Sequence, residues 1–290
     1  MQKISINQMK REYSEEELAQ LHECLYKILE EIARVCDANN IPYFIQGGSG
    51  IGAFFEKAIL PWDDDIDVGL TRVNYNRFLQ VAPSQLKPGF FLQWLETDPH
   101  TPFYFAKVRL DNTMFVEKDF KDLPIHHGIY VDVFPYDKVP DNQPLQKLQR
   151  TFANFLNCCF MGKDIWMWKH CGKCQIDHPT NRGFLPCLAN KIVDTLFSKK
   201  TIYHWLCKVQ GCYNHHEATY YNMVLMPRDH ISVASIEHPQ KVPFGPLVVT
   251  APSDLETYLR HHYKNLRRYI PKEEQQNHKP DFLSFDTRQN

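Results

Sequence analysis

No stretch of this 290-residue chain approaches the roughly 18–20 consecutive apolar residues that a membrane-spanning helix needs. The opening MQKISINQMKREYSEEE has no apolar core either, so no signal peptide is expected. There is no long block of Lys and Arg, and the net charge is only −1. A protein held to nucleic acid mainly through phosphate contacts is usually more basic, so no nucleic-acid partner is expected. A GxGxxG fingerprint is missing, which leaves no sign of a flat redox cofactor. Internal repeats and low-complexity linkers are missing too.

What remains is an ordinary globular composition, 43% hydrophobic and 23% charged, in a length that suits one large domain. Nine cysteines at irregular spacing, without a secretion signal, read as mostly reduced thiols in a cytoplasmic protein. Ser14 and Glu17 make a capping-box pattern. The apolar residues from Leu18 to Val35 then recur at helical spacing. Ile41 to Ile45 reads as a short buried strand, broken by Gly47, Gly48 and Gly50 ahead of a short helix through Phe54. Ile66 to Leu70 reads as a second strand and Arg72 to Val81 as a helix. From residue 90 to 134 the text is strand-like, and residues 143–215 look like a helical, cysteine-rich insertion. VPFGPLVVT is strand-like again, and Ser253 with Glu256 predicts a capping box for a helix through Tyr263. Phe282 and Phe285 are candidate anchors for a polar tail. The pattern predicts a single α+β domain over 1–290, with a mixed sheet, packed helices and the insertion at 143–215.

The most informative segment is Gly47-Gly48-Ser49 followed by PWDDDIDVGL, Pro61 to Leu70. In an extended strand Asp65 and Asp67 share a face about 7 Å apart, while Ile66 and Val68 turn to the core. Paired carboxylates suit hard divalent cations, and Mg²⁺ keeps coordination positions open for phosphate oxygens. Glycines allow backbone N–H groups close to a phosphate, and a helix start behind them favours negative charge. Asp132 lies inside the apolar run Ile129 to Phe134, where a charge is costly unless paired or bound to a cation. It is the candidate that completes the site. A solvated acidic turn is the plain alternative. An EF-hand fails, because the positions that need Gly and Glu hold Val68 and Asn74.

The run GSGIGAFFEKAILPWDDDIDVG, Gly48 to Gly69, resembles the LicD family of phosphocholine transferases. GIYVDVFPYDKVP resembles that family's second block, and VPFGPLVVT through His278 its third. The likeness covers residues 17–136 and 242–278. It implies a nucleotidyltransferase-like fold related to fukutin-type sugar-phosphate transferases. It further implies a CDP-linked donor, often CDP-choline, and a glycan or lipid-linked glycan acceptor, which allows peripheral membrane contact. By position, Asp65, Asp67 and Asp132 would hold two Mg²⁺ ions, with Gly48 and Ser49 on the phosphates. The family's Arg-His pair is replaced here by Phe55 and Glu56, and its Tyr-Gly-Asp by Tyr263-Lys264-Asn265.

Lys107 and Arg109 alternate on one strand and could balance donor phosphates; an exposed polar face is the plainer reading. Trp62, Trp94 and Tyr104 are candidate rings for a quaternary ammonium. Cys171, Cys174 and His178, with Cys159 upstream, are ligands of zinc type, weighed against reduced thiols. The adjacent pair His261-His262 is not expected to form a metal pair, and His278 matches a family histidine. Mg-dependent transfer of phosphocholine from CDP-choline to a sugar hydroxyl is the leading expectation. A polyol-phosphate or nucleotidyl transferase, and a non-catalytic metal-dependent binding module, are the alternatives.

Overall fold

A computed structural model describes residues 13–170, 192–193, 195–275 and 277–286. Helix α1, Glu15–Ala38, starts at the capping box: Ser14 Oγ accepts the Glu17 N–H, and Glu17 reaches back to the Ser14 N–H. Its apolar stripe, Leu21 to Val35, is wholly buried. Strand β1 is shorter than the sequence predicts, only Phe44–Ile45, and α2, Gly47–Phe55, follows at once. The glycines therefore form the first turn of α2 itself rather than a break ahead of it. Gly47 supplies the left-handed φ of 55° that turns the chain from β1 into the helix.

Strand β2, Asp67–Thr71, leads into α3, Arg72–Gln85. Strands β3 (Phe90–Gln93), β4 (Ala106–Leu110), β5 (Met114–Val116) and β6 (Tyr130–Val139) come next. The predicted insertion is built on α4, Gln143–His170, and α5, Lys199–Gln210. After it come β7 (Tyr220–Asn222), β8 (His230–Ser232), α6 (Val233–Glu237), the hairpin β9 (Gln240–Phe244) and β10 (Leu247–Ala251), α7 (Leu255–His262) and β11 (Phe282–Ser284).

The main sheet runs β1-β2-β6-β4-β3, extended by β7 and β8 from β6. Only β2 against β6 is parallel, so the sheet is mixed and the fold is α+β. One core joins α1, α2, α3 and α7 to the sheet, while a second cluster ties α4 and α5 to Tyr104, Val139 and Val224. Arg72, at the start of α3, donates to Asp137 on β6 (2.9 Å from Nε) and to Gln210 at the end of α5 (3.0 Å), joining the two clusters. Two expectations are corrected here. Helix α7 is capped by Asp254, which accepts the Thr257 N–H, while Asp254's own N–H is held by Ser235. Strand β11 pairs with β5, and Leu283 and Phe285 pack on the core while Phe282 is half exposed. Among the described residues no helix is long and apolar enough to cross a membrane.

Candidate active site

Strand pairing brings the acidic residues together. Asp67 opens β2 directly opposite Asp132 in the parallel register with β6, and Asp132 faces Lys107 on β4. Asp65 lies just ahead of β2 rather than inside a strand, on an extended segment held by the Asp132 N–H to Ile66 O bond (3.0 Å). Asp67 is positioned from the other side as well, because Ser49 Oγ accepts its N–H at 2.9 Å. Ser49 is buried and is not among the residues that line the cleft.

Asp63, Asp65 and Asp67 form the floor of a cleft of about 1040 Å³. Gly48 and Trp62 line it with them, together with residues of the C-terminal segment such as His262, Tyr263, Arg267 and His278. Asp132 lies behind that floor, buried and ion-paired to Lys107 at 2.7 Å. Burial, then the neighbouring charges of Asp65 and Asp64, pushes Asp63 up to about 8. Burial likewise pushes Asp65 up to about 6, against the pull of His278. Asp67 is raised well above the carboxylate range by burial and by Asp65, Asp132 and Asp63. Asp132 is raised by burial in spite of Lys107.

Such crowding is unfavourable for four anions and is relieved by a cation. The residues fit a divalent ion: the donors are hard carboxylate oxygens, and the glycine turn leaves room beside them. A Cβ on Gly48 would sit 2.9 Å from Asp63 Oδ2, and one on Gly47 would sit 3.1 Å from Asp67 Oδ2. A different trio, Asp64, Asp65 and His278, also brings ligand atoms within 4.8 Å of one another. Asp64, however, already accepts the N–H groups of His278 and Lys279 and the Tyr13 hydroxyl. It anchors the C-terminal segment, and those bonds hold its pKa below the usual range in spite of burial. His278 stands 3.3 Å from both Asp64 and Asp65, and hydrogen bonding to Asp64 raises it to about 10, so it is a cation at neutral pH.

Several expected roles are not met by the geometry. Arg109 is fully buried and donates to Gln93 Oε1 and Gly128 O, each at 2.6 Å; it does not line the cleft. Lys107 is spent on Asp132, with its ammonium among the rings of Tyr130, Phe103 and Phe105 at 3.4, 4.3 and 5.4 Å. Both were expected either on donor phosphates or in solvent. Strand β4 is buried along its whole length, which rules out the solvent reading. Of Trp62, Trp94 and Tyr104, only Trp62 lines the cleft, while Tyr104 packs in the second cluster. Cys159 is buried beside Phe160 in that cluster, and Cys171, Cys174 and His178 lie outside the described residues.

Sequence reasoning missed Arg228, Asp229, His262 and Arg267. His262, Arg228 and Arg267 line the cleft, together with Tyr263, Lys264 and Asn265, where the family pattern is departed from. Asp229 is wholly buried behind His262. The side of α7 that faces the cleft was the available signal, since His261 is exposed and His262 is turned inward.

Fold and site together define an α+β domain in which the start of β2 and the start of α2 line a carboxylate-floored cleft. Residues 40–165 match the family described as LicD/FKTN/FKRP, nucleotidyltransferase domain. The chain is 31% identical over 143 residues to the lipopolysaccharide cholinephosphotransferase LicD of Haemophilus influenzae, covering 47% of this chain and 51% of that protein. Uncharacterized proteins of Rickettsia typhi and Rickettsia prowazekii are 28% and 24% identical over 125 and 118 residues. These cover 42% and 41% of this chain, and 38% and 41% of theirs. The matched stretch spans about half, or less, of the length of these curated relatives.

Proposed function

We propose that the cleft transfers a phosphoryl-linked group from a CDP-linked donor to a sugar hydroxyl, with phosphocholine as the group and Mg²⁺ as the metal. The observation that carries this reading is the parallel register of Asp67 against Asp132 at the start of a glycine-opened helix, with Asp65 beside them. Asp65, Asp67 and Asp132 would hold the ions, and when bound these neutralise charge developing on the phosphate oxygens. Gly48 lines the cleft at the start of α2, where backbone N–H groups and the helix dipole favour an anion. Arg228, Lys264 and Arg267 line the same cleft and add positive charge opposite the carboxylates. Phosphocholine, and a lipopolysaccharide-like or lipid-linked glycan as acceptor, are supported by the name of the Haemophilus relative.

A polyol-phosphate donor is the second reading, favoured by one observation: among the three candidate ammonium-binding rings only Trp62 reaches the cleft. CDP-choline, CDP-ethanolamine, CDP-glycerol and CDP-ribitol, compared for CMP release with glycan acceptors, separate the two. Preference for CDP-choline is expected. Preference for a polyol donor would overturn the choline assignment and keep the reaction class, while no CMP from any donor would overturn both.

A further inference from the structure

Asp229 is a carboxylate with no exposed surface, placed just before β8 and tied to the cleft wall by two side chains. Its Oδ1 lies 3.0 Å from His262 Nδ1 and accepts the Tyr258 hydroxyl at 2.9 Å. Oδ1 thus takes bonds from both partners, with the proton of the second on the ring nitrogen that faces it. That leaves Nε2 as the nitrogen with a lone pair, on a ring that lines the cleft. Tyr258 in turn accepts the Gly47 N–H at 3.0 Å, so one buried carboxylate fixes both the imidazole and the first residue of α2.

We propose that His262 is the proton acceptor for the attacking hydroxyl and that Asp229 is its positioning residue. This rests on the group-transfer reading above. Asp65, Asp67 and Asp132 would be taken up by the cation in that reading, and His278 Nδ1 is engaged between Asp64 and Asp65. His262 is instead held at Nδ1 by Asp229, on a ring that lines the same cleft. In the step, the acceptor O–H bond breaks and its proton passes to Nε2. The oxygen forms a bond to the distal phosphorus, and the bond from that phosphorus to the CMP oxygen breaks, CMP leaving with the electron pair. The imidazolium then returns its proton to water. The arrangement follows the general logic of a base whose tautomer is set by a buried acid. The titratable and charged groups around the ring are Asp229, Tyr258, Tyr263 and His230, with Arg228 on the same cleft wall.

The test combines turnover with a direct reading of the ring. CMP release from CDP-choline is followed with lactose and with water as acceptors, for the wild type, His262→Ala and Asp229→Asn, with thermal melting to confirm folding. The kcat of His262→Ala is expected to fall about 10²–10⁴-fold, with CDP-choline affinity by calorimetry changed less than about threefold. Added imidazole should restore at least roughly tenfold of the loss. A kcat within about threefold of wild type, or a loss that sits in donor affinity and ignores imidazole, overturns the proposal. Nitrogen NMR of the wild-type ring decides independently: a neutral tautomer protonated at Nδ1 is expected, and a neutral tautomer protonated at Nε2 overturns it. If the wild type releases no CMP, the donor reading fails, and the NMR result alone then stands for or against the dyad.

Discussion

Lys107 is the residue whose surroundings the sequence conceals most. Alternation along FYFAKVRL puts it on one face with Arg109, yet period-two spacing cannot say what covers that face. The sheet does: β6 and β3 flank β4, and Tyr130, Phe103 and Phe105 close over the ammonium. Asp132 was legible as a buried charge in an apolar strand, but its counter-ion sits in another strand and is found only once the register is known. Lys107→Met should therefore destabilise the metal-free protein by about 3–5 kcal/mol, because it strands a buried carboxylate. Urea unfolding measures this, and added Mg²⁺ should recover part of the loss if Asp132 is a ligand. At the opposite extreme of packing, Gly52→Ala would place a Cβ 2.3 Å from the Ala58 carbonyl oxygen, deep in the α2 turn. Overpacking of this kind costs about 1–3 kcal/mol, and a variant as stable as the wild type would show that the turn can move aside.

At the scale of elements, helices with periodic apolar faces were readable and short strands were not. Helix α1 appears with its capping box because Ser14, Glu17 and the stripe behind them all agree. The α7 start is ambiguous in sequence, since Ser253 and Asp254 are both good caps and the choice depends on Ser235 holding the Asp254 N–H. The acidic segment before β2 carries the pH behaviour. Asp63 and Asp65 are raised from 3.8 to about 8 and about 6, and His278 from 6.5 to about 10. All three folded values lie above the unfolded ones, so each contributes stability below its unfolded pKa that is lost as pH rises through the folded pKa. The metal-free protein should thus lose stability progressively between about pH 4 and pH 10. Melting temperature against pH checks this, and Mg²⁺ should raise it more at pH 8 than at pH 5. Asp67→Asn removes one of the repelling carboxylates and should raise the metal-free melting temperature by roughly 2–4 °C per kcal/mol gained, while shrinking the Mg²⁺ increment. An unchanged Mg²⁺ increment in that variant would remove Asp67 from the ligand set.

For the whole molecule, the cleft joins parts of the chain far apart in sequence. Its floor comes from residues 48–67, within the matched family domain, and its far wall from residues 228–279, beyond it. The first half was legible because PWDDDID concentrates its signal in one strand and one turn. The second was not, because Arg228, His262 and Arg267 are scattered polar residues whose convergence follows from α7 packing on α2 and from Asp64 gripping His278 and Lys279. The Asp64 grip also gives a test at this scale. Asp64→Ala should release the segment after Pro271 and raise the KM for donor, with a smaller effect on kcat. Steady-state kinetics at saturating Mg²⁺ measures it, and an unchanged KM would show that the segment is held by other contacts.

The central claim is that paired carboxylates on neighbouring strands drive metal-dependent group transfer. The most direct measurement is CMP release from CDP-choline by wild type and by folded Asp67→Asn and Asp132→Asn variants, each with Mg²⁺ and with chelator. Release only by wild type with Mg²⁺ is expected, with a loss of about 10³-fold or more in both variants. Near-normal, Mg²⁺-dependent release by either folded variant would contradict it.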